Sequence, residues 1–461
     1  MNLIYQVKDK PKFGANLIFA LQQLLAILAA TIAVPSIIGN GMSQSAALFG
    51  AGVGTIVYLL FTKFKSPVFL GSSFAFIGSM LAAFAGAASM ALGYLGLIIG
   101  AFFAGLVYAI IAIIVKFAGV KWINKIMPAV VIGPTVAIIG LSLAGNAVGD
   151  LFTGDVKGVD GAMLGSPYAA LICGLVTLFV VILCSTYGKK MAKLIPFIIG
   201  IVAGYAVALI LTLIGNSAGI DALKIIDFAP FQALFADGVS VSTFFSLPDF
   251  TFLTAVKGFS ELDGAYVGTV AVAYIPVAFV VFAEHIADHK NLSSIIEQDL
   301  LEEPGLHRTL LGDGIGSISG AIFGGCPNTT YGESVGCVAI TRNASVATIF
   351  ATAILTMLIA FVAPFVAFLD SIPACVMGGV CVTLYGFIAV SGLKMIQKVN
   401  LDANKNLFVV SIILIAGIGG FQVSFGAVTI TSIACALILG IVANVLLAKA
   451  KEPAQEDGEA Q

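Results

Sequence analysis

The stretch from Gly324 to Arg342, GGCPNTTYGESVGCVAITR, lies where a membrane span should be, with apolar runs of near-helical length on both sides. Pro327, Gly332 and Gly336 interrupt it, and Glu333 puts a carboxylate inside it. Lipid offers no hydrogen-bond partner to a backbone, so broken main chain at this depth survives only inside protein or beside a water-filled cavity. An ionisable side chain there marks a functional site. The rest of the chain must therefore fold as apparatus that holds this stretch and moves around it.

Composition supports that reading. The 461 residues are 59% hydrophobic and 10% charged, against about 25% charged in a soluble domain. The expected fold class is an all-α polytopic membrane protein. Seven cysteines fall in apolar runs without a CxxC pair, as small buried hydrophobes do, so neither a metal nor a cofactor is expected. The first apolar run, 16–38, is too long for the core of a cleavable signal peptide and lacks a small-residue cleavage site. The last eleven residues, KEPAQEDGEAQ (451–461), read as a short acidic, disordered tail.

A span needs about 20 apolar residues. The candidates are 15–38, 45–62, 67–86, 92–115, 127–148, 165–187 and 194–215, then 265–288, 307–324, 325–341, 344–369, 372–392, 405–423 and 426–448. With the amino terminus inside and the spans alternating, all but Lys157, Lys224 and Lys257 of the 22 Lys and Arg fall on the inner face. That is the distribution the positive-inside rule requires, so fourteen spans and two cytoplasmic termini are predicted. The long segment 216–264 separates seven spans from seven. An odd number per half forces opposite orientations, the condition for an inverted repeat. Two segments are interrupted at matching places, PVFLGSSFAF (67–76) in the third span and GGCPNTTYGES (324–334) in the tenth. Such pairs point to a transporter's binding site. Their β-branched and aromatic residues suit short extended pieces meeting at the midplane, with helix ends aiming positive dipoles at a bound solute. In the ninth span, Gly312, Gly316, Gly320 and Gly324 recur every four residues, a bare stripe for close helix packing.

Four carboxylates lie well inside predicted spans, all in the second half: Glu284, Asp288, Asp313 and Glu333. Each costs about 2.5–3.5 kcal/mol at the bilayer centre on insertion scales. Glu284 and Asp288 are four apart in FAEHIADHK and share a helix face. Two acids so placed repel one another, and a proton taken up by either relieves the repulsion, which suits proton carriage. Asp313 is open to two readings, a hydrogen bond to a broken span or a proton relay. His285 and His289 lie about 100° further round the helix and read as capping or solvated; His307 reads as a structural loop residue. Gln22 and Gln23 read as glue between helices.

FAEHIADH, GLHRTLLGDG, GGCPNTTYGES-VG-x4-TR and the earlier FLGSSFAF, in that order, closely resemble the nucleobase–ascorbate transporter family, over essentially the whole chain. The likeness is nearest to the family's bacterial uracil:proton symporters. The family signature of Gln, Glu or Pro, then Asn-x-Gly-x4-Thr, then a basic residue or Gly maps onto Glu333, Ser334, Gly336, Thr341 and Arg342. The resemblance implies short antiparallel strands in spans 3 and 10. It also implies a core domain of 1–118 (spans 1–4) and 265–370 (spans 8–11), beside a gate domain of 119–216 (spans 5–7) and 371–450 (spans 12–14). The segment 217–264 would connect them outside, and 451–461 would be a cytoplasmic tail. Carried over residue by residue, the base would be held by Glu284, Glu333 and the amides of Phe74 and Gly332. Ser73 and Tyr331 would line the pocket, with Glu284, Asp288 and Asp313 in proton coupling. The implied partners are uracil, a proton, the lipid of the cytoplasmic membrane and a second copy of the chain through the gate domain; no nucleic acid is expected.

The chemistry is coherent without the family. Uracil offers two N–H donors and two carbonyl acceptors, which suit carboxylates and backbone N–H groups respectively. Two departures stand out. Ser334 replaces the family's Asn, and Asp288 stands where uracil carriers often have His and xanthine and purine carriers have Asp. Glu333 looks like the uracil branch, where purine carriers tend to have Gln. Uracil is favoured, because Glu333 should touch the ligand, and a xanthine or purine symporter is the alternative. A channel or anion carrier is disfavoured by the lack of a charged filter or an embedded Lys or Arg at the acidic pocket. An enzyme is disfavoured by the lack of a nucleophile set, zinc ligands or a phosphate loop.

Overall fold

The computed structural model describes residues 3–119, 122, 128–236, 238–425 and 428–448. The acidic tail 451–461 and Lys121, Lys125, Lys449 and Lys451 lie outside the described residues. The first half runs α1 (Phe13–Ile38), α2 (Gln44–Phe61), β1 (Leu70–Ser72), α3 (Ile77–Ala85), α4 (Met90–Ala118), α5 (Ala129–Ser142), α6 (Ala144–Asp150), α7 (Pro167–Tyr187) and α8 (Pro196–Ala218). A long loop with short helical turns leads to α9 (Gly264–Ile296), α10 (Leu306–Gly324), β2 (Asn328–Thr330), α11 (Gly332–Thr341), α12 (Val346–Ile359), α13 (Ala363–Asp370) and α14 (Ala374–Ile396). The chain closes with α15 (Asn404–Ile418), the hairpin β3 (Val423–Phe425) and β4 (Val428–Ile430), and α16 (Ser432–Leu447). Eight helical stretches among the described residues are long and apolar enough to cross a membrane. The molecule is a predominantly helical, multi-pass membrane fold.

Local chemistry sets several helix starts. Ser43 accepts from the Ala46 N–H, Ser89 from that of Leu92 and Asp263 from that of Tyr266. Each satisfies one of the free N–H groups at a helix start. At the far end of α10, Gly325 adopts φ 74°, the left-handed cap that glycine takes without strain.

Packing falls into two sets. α2 lies against α1, α10 and α12, while α4 lies against α3, α9 and α10. α14 lies against α5 and α7, α7 against α8, and α15 against α5 and α16. The glycine stripe of α10 meets α2 backbone to backbone. A Cβ on Gly50 would stand 2.5 Å from the Gly320 carbonyl oxygen, and one on Gly324 would stand 2.6 Å from that of Ala46. The buried Asn328 side chain fills the space beside Gly54 and Gly320, and its Nδ2 donates to the Gly50 carbonyl at 3.1 Å.

Three boundaries differ from the sequence reading. α9 runs to Ile296 rather than 288, because Leu292 and Ile296 continue its buried face after hydropathy falls. The stretch 344–369 breaks between α12 and α13, where the long loop supplies main-chain partners: the Ala363 N–H donates to the Phe244 carbonyl at 3.0 Å and the Ser246 N–H to that of Phe361 at 3.0 Å. The last two predicted spans meet in a hairpin with Val423 opposite Ile430, where QVSFGAVTIT alternates with the period of a strand.

The loop before α7 also fastens α14. The Ala374 N–H donates to Asp155 Oδ1 at 3.2 Å, and the Cys375 N–H donates to the Thr153 carbonyl at 2.9 Å. Burial outweighs that hydrogen bond and pushes the Asp155 carboxyl up from 3.8 to about 6. A carboxyl raised on folding binds its proton more tightly in the folded state, so its contribution is full below the unfolded value and fades as pH rises through the folded one. Asp155→Asn keeps the acceptor and removes the charge. The variant is expected to melt above the wild type at pH 7.5 and level with it near pH 4; an unchanged difference across that range would contradict the assignment.

Candidate functional site

Each interrupted segment solves its backbone problem with the other. β1 and β2 pair antiparallel, Leu70 opposite Thr330, Gly71 opposite Thr329 and Ser72 opposite Asn328. The ladder continues on both sides: the Ser73 N–H donates to the Pro327 carbonyl at 2.9 Å, and the Tyr331 N–H to that of Phe69 at 3.2 Å. Buried main-chain groups are thereby satisfied without lipid or helix. Gly71 is required here, because the Tyr331 ring occupies the place of a Cβ, and the Tyr331 hydroxyl donates to the Ser72 carbonyl at 2.8 Å. Beyond the strands two helices begin, α3 at Ile77, three residues after Phe74, and α11 at Gly332, so two helix N-termini are brought to one region.

There a cavity of about 360 Å³ opens, and Glu284, Asp288, Phe74, Tyr331, Gly332 and Glu333 all line it. Thr330 Oγ1 donates to Asp288 Oδ2 at 2.8 Å. Asp288 is about two helical turns from the end of α9 and forms part of the wall, so it is not merely a solvated end residue. The opposite wall is apolar: Val136 from α5, Phe197 from α8, and Leu384, Phe387 and Ile388 from α14. One side thus presents carboxylates and the first N–H groups of α11, and the other presents flat hydrophobic surface. A planar polar heterocycle fits that pairing, its edge toward the acids and helix end and its faces toward the apolar wall.

Other candidates lie behind this wall. Ser73 does not line the cavity; its side chain is buried and its backbone belongs to the strand ladder. Asp313 is also buried outside the cavity, with Oδ2 2.7 Å from His285 Nδ1. Thr309 Oγ1 donates to the Leu306 carbonyl at 3.1 Å, so its lone pair receives His285 Nε2–H at 2.9 Å. One proton then lies between His285 Nδ1 and Asp313 Oδ2, and the pair is neutral overall wherever that proton rests. His289 Nδ1 donates to the His285 carbonyl at 2.8 Å, leaving Nε2 to face the Tyr58 hydroxyl at 2.7 Å. The solvated reading of both histidines is corrected: they are buried and stacked, centroids 4.0 Å apart, because the face of α9 turned from the cavity meets α2 and α10. His307 is the second residue of α10 rather than part of a loop.

The signature residues divide between site and scaffold. Glu333 and Gly332 reach the cavity, whereas Ser334 is fully buried and tied elsewhere. Its Oγ accepts from Gln23 Nε2 at 2.5 Å and from the Phe69 N–H at 3.0 Å, fastening α1 and the approach to β1 onto α11. Gln23 is the glue expected of it, and Gln22 Nε2 reaches Met191 Sδ at 3.1 Å. Thr341 Oγ1 bonds within its own helix to the Cys337 carbonyl at 2.7 Å, and the Arg342 carbonyl accepts from the Ile4 N–H at 2.8 Å. Ser334→Ala is expected to leave two buried donors unpaired and to lower stability by about 2–6 kcal/mol, at about 1–3 kcal/mol for each. A melt in detergent indistinguishable from the wild type would contradict this. Sequence reasoning missed Thr330 and the whole apolar wall, since a Phe or Leu in an apolar span carries no signal of its own.

These features define a multi-pass membrane permease with an acidic cavity beside helix ends. A family model described as "Permease family" (Xan_ur_permease) matches residues 14–425. The chain belongs to that family, the nucleobase–ascorbate transporters. It is 37% identical over 458 residues to the uracil permease of Bacillus subtilis (strain 168), covering 98% of this chain and 97% of the relative. It is 33% identical over 438 residues to the uracil permease of Escherichia coli (strain K12), covering 94% and 92%. Among solved structures, the transmembrane domain of the cyanobacterium bicarbonate transporter BicA aligns with TM-score 0.63 at 15% identity, over 95% of this chain and 100% of that one. The murine anion transporter Slc26a9 aligns with TM-score 0.60 at 13% identity, over 96% and 69%. At those identities the likeness is one of fold.

Proposed function

We propose that this chain imports uracil together with a proton across the cytoplasmic membrane by alternating access. The observation that carries the reading is a single cavity shared by Glu284 of α9, Glu333 of α11 and the first amide of α11. The carboxylates accept from the two ring N–H groups, and backbone N–H groups at Phe74 and Gly332 donate to the ring carbonyls. Left unpaired in a dry pocket, each such group costs about 1–3 kcal/mol. Cytosine, which lacks the imide edge, is thereby disfavoured.

Glu284 and Asp288 form the proton-carrying pair, and Asp313 sets the protonation of its neighbourhood through His285. A proton drives the cycle only if it binds the outward and inward states with different affinity. Fourteen spans in a seven-plus-seven inverted repeat, both termini cytoplasmic and strands in spans 3 and 10 complete the architecture. The packing of α1–α4 with α9–α12, and of α5–α8 with α14–α16, supports a core domain carrying the acids and a gate domain carrying the apolar wall. Homodimers would form through the gate domain.

The test is uptake of radiolabelled uracil by proteoliposomes under an imposed pH gradient, with xanthine and cytosine as competitors. Accumulation that collapses with the gradient and resists both competitors is expected. Uptake indifferent to the gradient would exclude proton coupling, and stronger inhibition by xanthine than by uracil would transfer the reading to a purine.

A further inference from the structure

A second cavity, of about 320 Å³, lies at the membrane face where α2 and α4 end and α10 begins. Lys116, His307 and Arg308 line it together with Phe61, Ile113 and Phe117. No acidic side chain lines it among the described residues, and the neighbouring Glu303 is already paired with Lys65. Arg308 Nη1 reaches the Phe61 carbonyl at 3.5 Å, and the Lys116 ammonium lies 5.7 Å from the Phe117 ring centroid. His307 and Arg308 also occupy the first turn of α10, which has no acidic residue and no side-chain cap. Arg308 is the fixed cation in that turn. A cation at a helix N-terminus opposes the dipole there, and an anion is what that place favours.

An exposed apolar helix face adjoins this cavity. Along α4, Phe102, Leu106, Ile110, Ile113 and Phe117 are 54%, 45%, 49%, 56% and 81% exposed. Their spacing of three and four residues puts them on one helix face. The row ends at the basic cavity, which Ile113 and Phe117 help to line. At a rise of about 1.5 Å per residue it spans roughly 22 Å. A free inorganic anion would use the cations and ignore the row. An amphiphile with an anionic head and long hydrocarbon tails uses both.

We propose that this cavity binds the headgroup of an anionic phospholipid, with an acyl chain laid along the exposed face of α4. Basic pockets between helices at a membrane face hold such headgroups, and each Lys or Arg near the surface contributes to their attraction. The site is separate from the acidic cavity, and the proposal does not depend on which solute that cavity carries. Bound lipid would tie the ends of α2 and α4 and the start of α10 to one leaflet.

The full-length protein, purified in detergent, is titrated with phosphatidylglycerol or phosphatidylcholine, and retained lipid is counted by native mass spectrometry. Saturable retention of phosphatidylglycerol over phosphatidylcholine is expected. The Lys116→Gln/Arg308→Gln variant should weaken it about thirtyfold, from two charges, with phosphatidylcholine retention unchanged. Lys116→Gln alone, at an exposed position, should give an intermediate loss, and Lys116→Arg should restore retention. Equal phosphatidylglycerol retention by wild type and both Gln variants would overturn the proposal. So would displacement of the lipid by millimolar inorganic phosphate, which would assign the pocket to a free anion.

Discussion

Glu284→Gln is expected to abolish gradient-driven accumulation of uracil while weakening its binding only about tenfold. Glutamine keeps a carbonyl that accepts an N–H and loses the charge assistance, a difference of about 1–1.5 kcal/mol between charged and neutral hydrogen bonds. Coupling is another matter, because glutamine binds no proton. Glu284 sits in mid-helix on α9, one turn from Asp288 and on the same wall of the cavity. A proton arriving on either carboxylate removes their mutual repulsion. Glu333 differs in its setting: it stands in the first turn of α11, where helix N–H groups compensate its negative charge. Glu333→Gln should therefore lose affinity to a similar degree and still accumulate uracil when the gradient is steep and the base saturating. The measurement pairs equilibrium binding with proteoliposome uptake for both variants. Concentrative uptake surviving in Glu284→Gln, or lost equally in both at saturating uracil, would remove Glu284 from the coupling role.

What the chain disclosed in advance follows from what polar residues cost in lipid. Glu284, Asp288, Asp313 and Glu333 are conspicuous because nothing but function or a buried partner keeps a carboxylate in a span. Three of them line the cavity, and Asp313 is held by His285 behind it. The paired breaks at 67–76 and 324–334 were legible for the same reason, since Pro and Gly in a span leave main-chain groups that must find partners. Two kinds of information were hidden. The first is which way each face of a helix turns: His285 and His289 are in the sequence, but only the approach of α2 and α10 makes that face of α9 dry. The second is the apolar wall, where Phe197 and Phe387 differ from dozens of other hydrophobic residues only in what stands opposite them. Ser334 combines both: the sequence marks it as a signature position with Ser in place of Asn, and the fold uses it as a clamp between α1, α11 and the approach to β1.

Gly320→Ala is expected to destabilise the fold strongly and to disturb the transport site. Its Cβ would fall within the Asn328 side chain, and Gly50 on α2 already brings its own Cα close to the Gly320 carbonyl. Forcing atoms into a filled core costs about 1–3 kcal/mol or more. Displacing Asn328 also breaks its bond to the Gly50 carbonyl, which leaves buried polar groups unpaired at about 1–3 kcal/mol. Together these approach the lower end of the roughly 5–15 kcal/mol that holds a folded protein. The damage should reach the site, because Asn328 opens β2 and Thr330, two residues on, holds Asp288. Gly386→Ala in α14 is the control: nothing stands within 4 Å of its Cβ position, so relief of glycine's entropy should leave it level with or slightly above the wild type. If steric conflict with Asn328 is the cause, Asn328→Ala should recover part of the Gly320→Ala loss in the double variant, an interaction that melting temperatures in detergent can resolve. Strictly additive losses would mean that the two residues do not compete for the same space, and that the closeness of α2 to α10 has another origin.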